Sequence, residues 1–201
     1  MAHQLPLIIT TNPHFLSRKP LHDEMLPAFA LRELFQKDDP LSYFKQDPQG
    51  WIKVRDHQGK HILHYLARYG NAELIKRFLG YHPPLKALIN QPDNNGRTPL
   101  HDAVQKGNLP AVKVLLENGA NPHARDKEGY TVAYTAALHL PPDSLAQFVR
   151  LVAPYRLDWN ITPNDLRYSV LDLLRSREFH HTPAYDLIQS QGGKHIIKIF
   201  P

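Results

Sequence analysis

Histidines and carboxylates supply most protein acid–base and metal chemistry, and this chain has 13 histidines, 19 acidic residues and no cysteine. His61-x-x-His64 has the spacing that brings two imidazoles onto one helix face, with His57 or Glu73 as a third donor. His22-Asp23-Glu24 and His180-His181 are further clusters. Zinc needs three or four convergent donors in fixed geometry, which adjacency in sequence does not supply. No HExxH, GxSxG, GxxxxGK[ST] or strand-led GxGxxG is present. Asp158 with Asp165 or Asp172 is a weak carboxylate pairing, and Gly192-Gly193-Lys194 reads as a turn before the IIKIF segment rather than a phosphate cradle. The expectation is a noncatalytic chain with no metal and no cofactor. An enzyme using His22, His180 or His181 as acid–base groups is the alternative, and it requires those rings to meet carboxylates in one pocket.

Such residues can act only if folded elements position them. At 201 residues and 42% hydrophobic content the chain can bury a sizeable core as one domain or a short repeat array. No run approaches the roughly 18 apolar residues of a membrane helix. Leu5 to Ile9 is too short, and lacks the basic leader, for a secretory signal. A soluble, cytoplasmic protein is the expectation. Without cysteine there are no disulfides and no thiolate catalysis. The net charge of +5 is local: between Trp51 and Asn90 seven basic residues face two acidic ones, which accounts for the whole excess. An acidic partner suits that stretch, with nucleic acid as the less favoured reading.

The organising pattern is DNNGRTPLHDAVQKGNLPAVKVLLENGANPHAR, Asp93 to Arg125. Asp126, Gly129 and Thr131 restart it 33 residues after Asp93, Gly96 and Thr98. This unit resembles the ankyrin-repeat family, whose period and Thr-Pro-Leu-His helix start it carries. The resemblance implies an all-α solenoid of about three repeats with a helical N-terminal cap and a degenerate C-terminal cap. Leu63, Leu100, Ala133 and, more weakly, Leu171 fall in register. The expected segments are 1–20, an extended arm; 21–55, the N-terminal cap; 56–92, 93–125 and 126–160, the three repeats; and 161–201, the C-terminal cap and tail. MLPAFALRELF and DPLSYFKQ would supply two helices covering the flank of repeat one, because a terminal repeat has no neighbour to bury its face.

Within the unit, Pro99 presets a helical φ and lacks an amide hydrogen that a first turn leaves unpaired. Gly107 and Gly119 end the two helices in the left-handed region. In repeat one the extra residues fall at Tyr81 to Lys86, where consecutive prolines predict an enlarged loop. In repeat three the insertion at Leu140 to Asp143 starts the second helix at Pro142 or Asp143. The family likeness also makes His101 a turn-bonding residue, and it sets His64 at the same position with His61 in the threonine slot. Their role is then structural.

Ankyrin proteins bind through turn tips and the exposed face of the first helix of each repeat. Carried to this chain, that implies another protein as partner and Arg55, Lys60, Tyr65, Arg68, Tyr69, Asn95, Arg97, Asp102, Gln105, Lys106, Lys127 and Tyr130 as its contacts. Tyrosine and arginine favour repeat one as the hot spot. A monomer is expected. Short arrays with diverged caps also resemble those that intracellular bacteria deliver into host cells, which would make the partner a host protein and the host cytoplasm the location.

Overall fold

The computed structural model describes residues 52–81, 83–164 and 166–196. The expected N-terminal arm and cap helices, Trp51 and the IIKIF end lie outside or largely outside those residues. Among the described residues, eight α-helices follow one another in pairs: α1 (Ile62–Tyr69) with α2 (Ala72–Tyr81), α3 (Pro99–Lys106) with α4 (Leu109–Glu117), α5 (Val132–His139) with α6 (Pro142–Val152), and α7 (Val170–Ser176) with α8 (Pro183–Ser190). The first helices of successive pairs pack on one another, α1 on α3 on α5 on α7, and so do the second ones, from α2 through α8. Among the described residues there is no strand, only an isolated bridge between Arg125 and Thr131. The architecture is the all-α solenoid expected.

Each inner helix starts the same way. His61, Thr98, Thr131 and Ser169 sit at the N-cap in extended backbone conformation. Two residues on, Leu63, Leu100, Ala133 and Leu171 turn into the core at no more than 1% exposure. Pro99 and Pro142 occupy first helical positions, where no amide is lost. Asn108 caps α4 by accepting from the Ala111 amide (3.2 Å), and its side-chain amide donates back to Ala67 O (3.1 Å) and Gly70 O (2.8 Å) of the preceding repeat. One side chain thus starts a helix and joins two repeats.

The turns between pairs form a second seam. Asp93 Oδ1 accepts from the amides of Asn95 (2.8 Å) and Arg97 (2.9 Å), and Asp56 Oδ1 does the same for Gln58 and Lys60. Adjacent turns are joined by backbone bonds, Asn94 N to Gln58 O, Lys127 N to Asn95 O and Asn164 N to Glu128 O, each 2.8 or 2.9 Å. Gly96 shows why this needs glycine: its φ is +81°, and a Cβ there would lie 2.9 Å from Lys127 N.

One feature differs from the sequence reading. The prolines after α2 do not open a loop; Pro83–Leu88 form a 3-10 helix, because Leu85 and Leu88 at that spacing reach the core and are buried. The chain after Asn160 continues the stack as the degenerate capping unit expected from Leu171. Its α7–α8 pair has its own capping box, Ser169 with Asp172, and its turn takes the next step of the backbone seam through Asn164.

Candidate functional site

The suggestive histidines are used up by the fold. His64 Nδ1 accepts from the His61 amide (3.3 Å), and its Nε2 donates to Arg97 O (2.9 Å) in the next repeat. His101 repeats this one unit on, with Nδ1 accepting from the Thr98 amide (3.2 Å) and Nε2 donating to Tyr130 O (3.2 Å). His61 Nδ1 accepts from the Leu63 amide and Nε2 donates to Gln91 O (3.1 Å). Each ring is a buried neutral imidazole without a spare lone pair, so none is a metal ligand. Burial is the main cause of their lowered basicity; His61, which also feels His64 and Arg55, is pushed down to about 2.

Among the described residues the other pairs do not assemble a site either, and His22-Asp23-Glu24 lies outside those residues. His180 and His181 lie ring against ring, with centroids 4.1 Å apart and His181 exposed. Among the described residues no three His, Cys, Asp or Glu side chains cluster as metal ligands. Asp158 only caps the Asn160 amide, and Asp165 falls outside the described residues. Gly192 and Lys194 form a turn clamped by the Asn160 side chain, through Gly192 O (3.0 Å) and Lys194 N (2.7 Å).

What does form is a cleft of about 300 Å³ between repeats one and two, lined by both turns and by α1 and α3. Lys60 Nζ is held on both oxygens of Asp102 (2.8 and 2.7 Å), and Arg68 reaches the same carboxylate at 3.6 Å and donates to Gln105 Oε1 at 3.0 Å. Arg97 leans on Asp126 at 3.5 Å. Asp93 Oδ2 is buried without a hydrogen bond, 3.8 Å from Lys60 Nζ. Charge is layered: the carboxylates lie beneath the surface, Lys60 sits on them with its side chain only 14% exposed, and the Arg68 and Arg97 heads stand at the rim. Tyr69, 40% exposed, completes the rim with its hydroxyl accepting from Arg68 Nε at 3.1 Å.

The twelve expected contact residues therefore divide. Lys60, Arg68, Tyr69, Arg97 and Gln105 line the cleft together. Tyr65 and Asp102 correct the expectation that they meet a partner directly. They are 6% and 1% exposed, because Tyr65 donates its hydroxyl to Asp56 and Asp102 is the counter-charge for Lys60 and Arg68. Burial and that bond raise the Tyr65 phenol far above its ordinary range. Arg55 is also spoken for, donating to Ile52 O, Val54 O and Gln91 Oε1. Lys106 is exposed at the end of α3, Asn95 and Lys127 stand at turn tips, and Tyr130 is half-buried against Tyr134.

Sequence reasoning passed over the opposite end. Asp172, in the capping box of α7, accepts from Ser169 N (3.0 Å), His195 Nδ1 (2.7 Å) and Ile196 N (3.0 Å), and His195 Nε2 pairs with the Tyr185 hydroxyl at 2.6 Å. Burial works against the charged form of Asp172, but these bonds outweigh it and bring the carboxyl down to about 2. Ser169-x-x-Asp172 was a readable cap signal; its link to His195, 23 residues on, had none.

A stack of paired helices joined by hydrogen-bonded turns and by histidines reaching into the next unit defines a helical-repeat solenoid. Residues 32–126 match the family model described as ankyrin repeats (3 copies). The chain is 36% identical over 75 residues to human "Transient receptor potential cation channel subfamily A member 1", a stretch covering 37% of this chain and 6% of that protein. It is 31% identical over 100 residues to the Arabidopsis thaliana "E3 ubiquitin-protein ligase KEG", covering 49% and 6%, and 39% identical over 72 residues to dog "Inversin", covering 36% and 7%. Over the matched residues this chain carries ankyrin repeats. It spans less than a tenth of the length of these curated relatives, so what it shares with a channel and a ligase is repeats. The match ends at 126, where Val132-Ala133-Tyr134 replaces Pro-Leu-His, although the stack itself continues.

Proposed function

We propose that this chain is a noncatalytic protein-interaction module that holds a partner protein against the cleft of repeats one and two. Ankyrin repeats are in general protein–protein interaction modules. The observation that supports this surface is the grouping of Lys60, Arg68, Tyr69, Arg97 and Gln105 around one cleft while the buried Asp93, Asp102 and Asp126 hold the cations in place. Prepositioned cations lose less side-chain entropy on binding, and an acidic or mixed segment is the partner chemistry they suit. Delivery into a host cell, with a host protein as that partner, is part of the same reading.

The test is affinity capture from eukaryotic lysate with the whole chain and with the combined Arg68→Ala, Tyr69→Ala, Arg97→Ala variant. Lys60 still pairs with Asp102 in the variant, but Arg97→Ala removes the cation 3.5 Å from buried Asp126, so the melt is measured beside the capture, with Arg68→Ala, Tyr69→Ala as the variant that leaves Asp126 paired. Loss of a specific partner with an unchanged melt supports the cleft; undiminished capture places the site elsewhere. Titration with oligonucleotides at low salt tests the nucleic-acid reading.

A further inference from the structure

The positions that line the cleft between repeats one and two have equivalents in the third and fourth units, and their chemistry is different. Because the inner helices share one capping register, residues at a fixed offset from His61, Thr98, Thr131 and Ser169 hold equivalent places along the stack. One residue before the cap stand Lys60, Arg97, Tyr130 and Tyr168. Seven residues after it stand Arg68, Gln105, Leu138 and Ser176. Along both rows, charged and amide groups give way to aromatic, aliphatic and hydroxyl ones.

The apolar end is open. Leu138 is 39% exposed and Tyr168 46%. Tyr130 and Tyr134 meet edge to face at 5.5 Å behind them. Arg177, one residue past Ser176, is turned inward: its guanidinium donates to Ala137 O and Leu140 O and lies 4.4 Å over the Phe179 ring, while Arg167 and Arg175 are exposed beside Tyr168 and Ser176.

We infer that this face binds one extended polypeptide segment of two chemistries, an acidic side chain over Lys60, Arg68 and Arg97 and a large apolar side chain against Leu138 and Tyr168. The inference rests on the cleft being the partner site. Charge complementarity favours this occupant, because an arriving carboxylate meets the cation heads before the carboxylates buried beneath them. Distance sets the spacing. Packed helices lie about 8–10 Å apart, so two steps along the stack span roughly 16–20 Å. An extended chain advances about 3.3 Å per residue, which separates the two anchors by about five or six residues.

The experiment uses the whole chain and fluorescein-labelled Gly/Ser peptides read by anisotropy. One peptide carries a Glu pair and a Leu-Phe pair about five residues apart, in either order; controls carry the Glu pair alone, the Leu-Phe pair alone, or both pairs adjacent. The spaced peptide should bind about tenfold tighter than any control, and Leu138→Glu, at an exposed position, should erase that gain. No gain from spacing, or an unaltered gain in Leu138→Glu, overturns the inference, as does an oligonucleotide that outcompetes every peptide. If the Glu-pair peptide ignores Arg68→Ala with Arg97→Ala, the cleft itself is wrong. If it depends on those arginines but gains nothing from Leu-Phe, only the two-chemistry surface fails.

Discussion

Repeat two and the C-terminal unit build the same helix start around opposite hydrogen-bond roles. In repeat two, His101 accepts from its own cap and donates onward to Tyr130 O, tying its turn to the next repeat. In the C-terminal unit the equivalent position is Asp172, which only accepts and takes its donors from Ser169 and from the tail at His195 and Ile196. An interior unit thus reaches forward to a neighbour, whereas the last described unit is bonded by its own chain folding back. Stability in a solenoid is the sum of unit and interface contributions, so the same substitution should cost differently in the two places.

The largest expected difference is in pH. His61, His64 and His101 are neutral in the fold, with pKa values below that of a free imidazole. Above about pH 6.5 both folded and unfolded chains leave them neutral; below it only the unfolded chain takes up protons. Stability then falls as pH falls, by up to about 1.4 kcal/mol per pH unit for each histidine. Asp172 behaves otherwise: its lowered pKa adds stability above its ordinary value near 3.8, lost as pH falls toward about 2. Acidification from pH 7 to 5 should therefore loosen repeats one and two while the Asp172 contacts hold. Residue-resolved hydrogen exchange across that range would show it, and uniform loosening would erase the distinction.

Core truncations come next. Leu115, fully buried in α4, should cost about 2–4 kcal/mol on change to alanine and lower the melting temperature of the whole chain. Ile188→Ala, equally buried in α8, should mainly speed exchange in the last unit. Equal global shifts would mean the end is no less cooperative than the middle.

His101→Ala should cost roughly 1–3 kcal/mol, since it leaves Tyr130 O and the Thr98 amide without their partner. His195→Ala is the smallest change, below about 1 kcal/mol, because the partly exposed tail can exchange its bonds for water. It should appear as faster exchange around residues 191–196. A melting shift as large as that of His101→Ala would show that the tail holds the array as firmly as an internal contact.

Much of this was readable residue by residue. Thr98-Pro99, the paired leucines of α4 and the turn glycines act through local backbone geometry, so their types announce the helix starts and ends wherever they occur. The structural role of His61 and His64 was equally legible, because their places in the repeat prescribe their bonding partners. Leu85 and Leu88 were missed, since two prolines signal a helix end but not the 3-10 turn that a nearby core can stabilise. Tyr65 and Asp102 were misjudged as surface, because repeat register tells which way a side chain points but not that Asp56 takes in the Tyr65 hydroxyl or that Lys60 of the preceding turn covers Asp102.

The sequence by itself determined the period, the capping register and the stacking order, which follow from φ preferences and apolar spacing within some 33 residues. Only the tertiary structure decided which charges stay at the surface. Lys60 meets Asp102 across 42 residues and Asp172 meets His195 across 23, and such pairings exist only after the repeats have stacked.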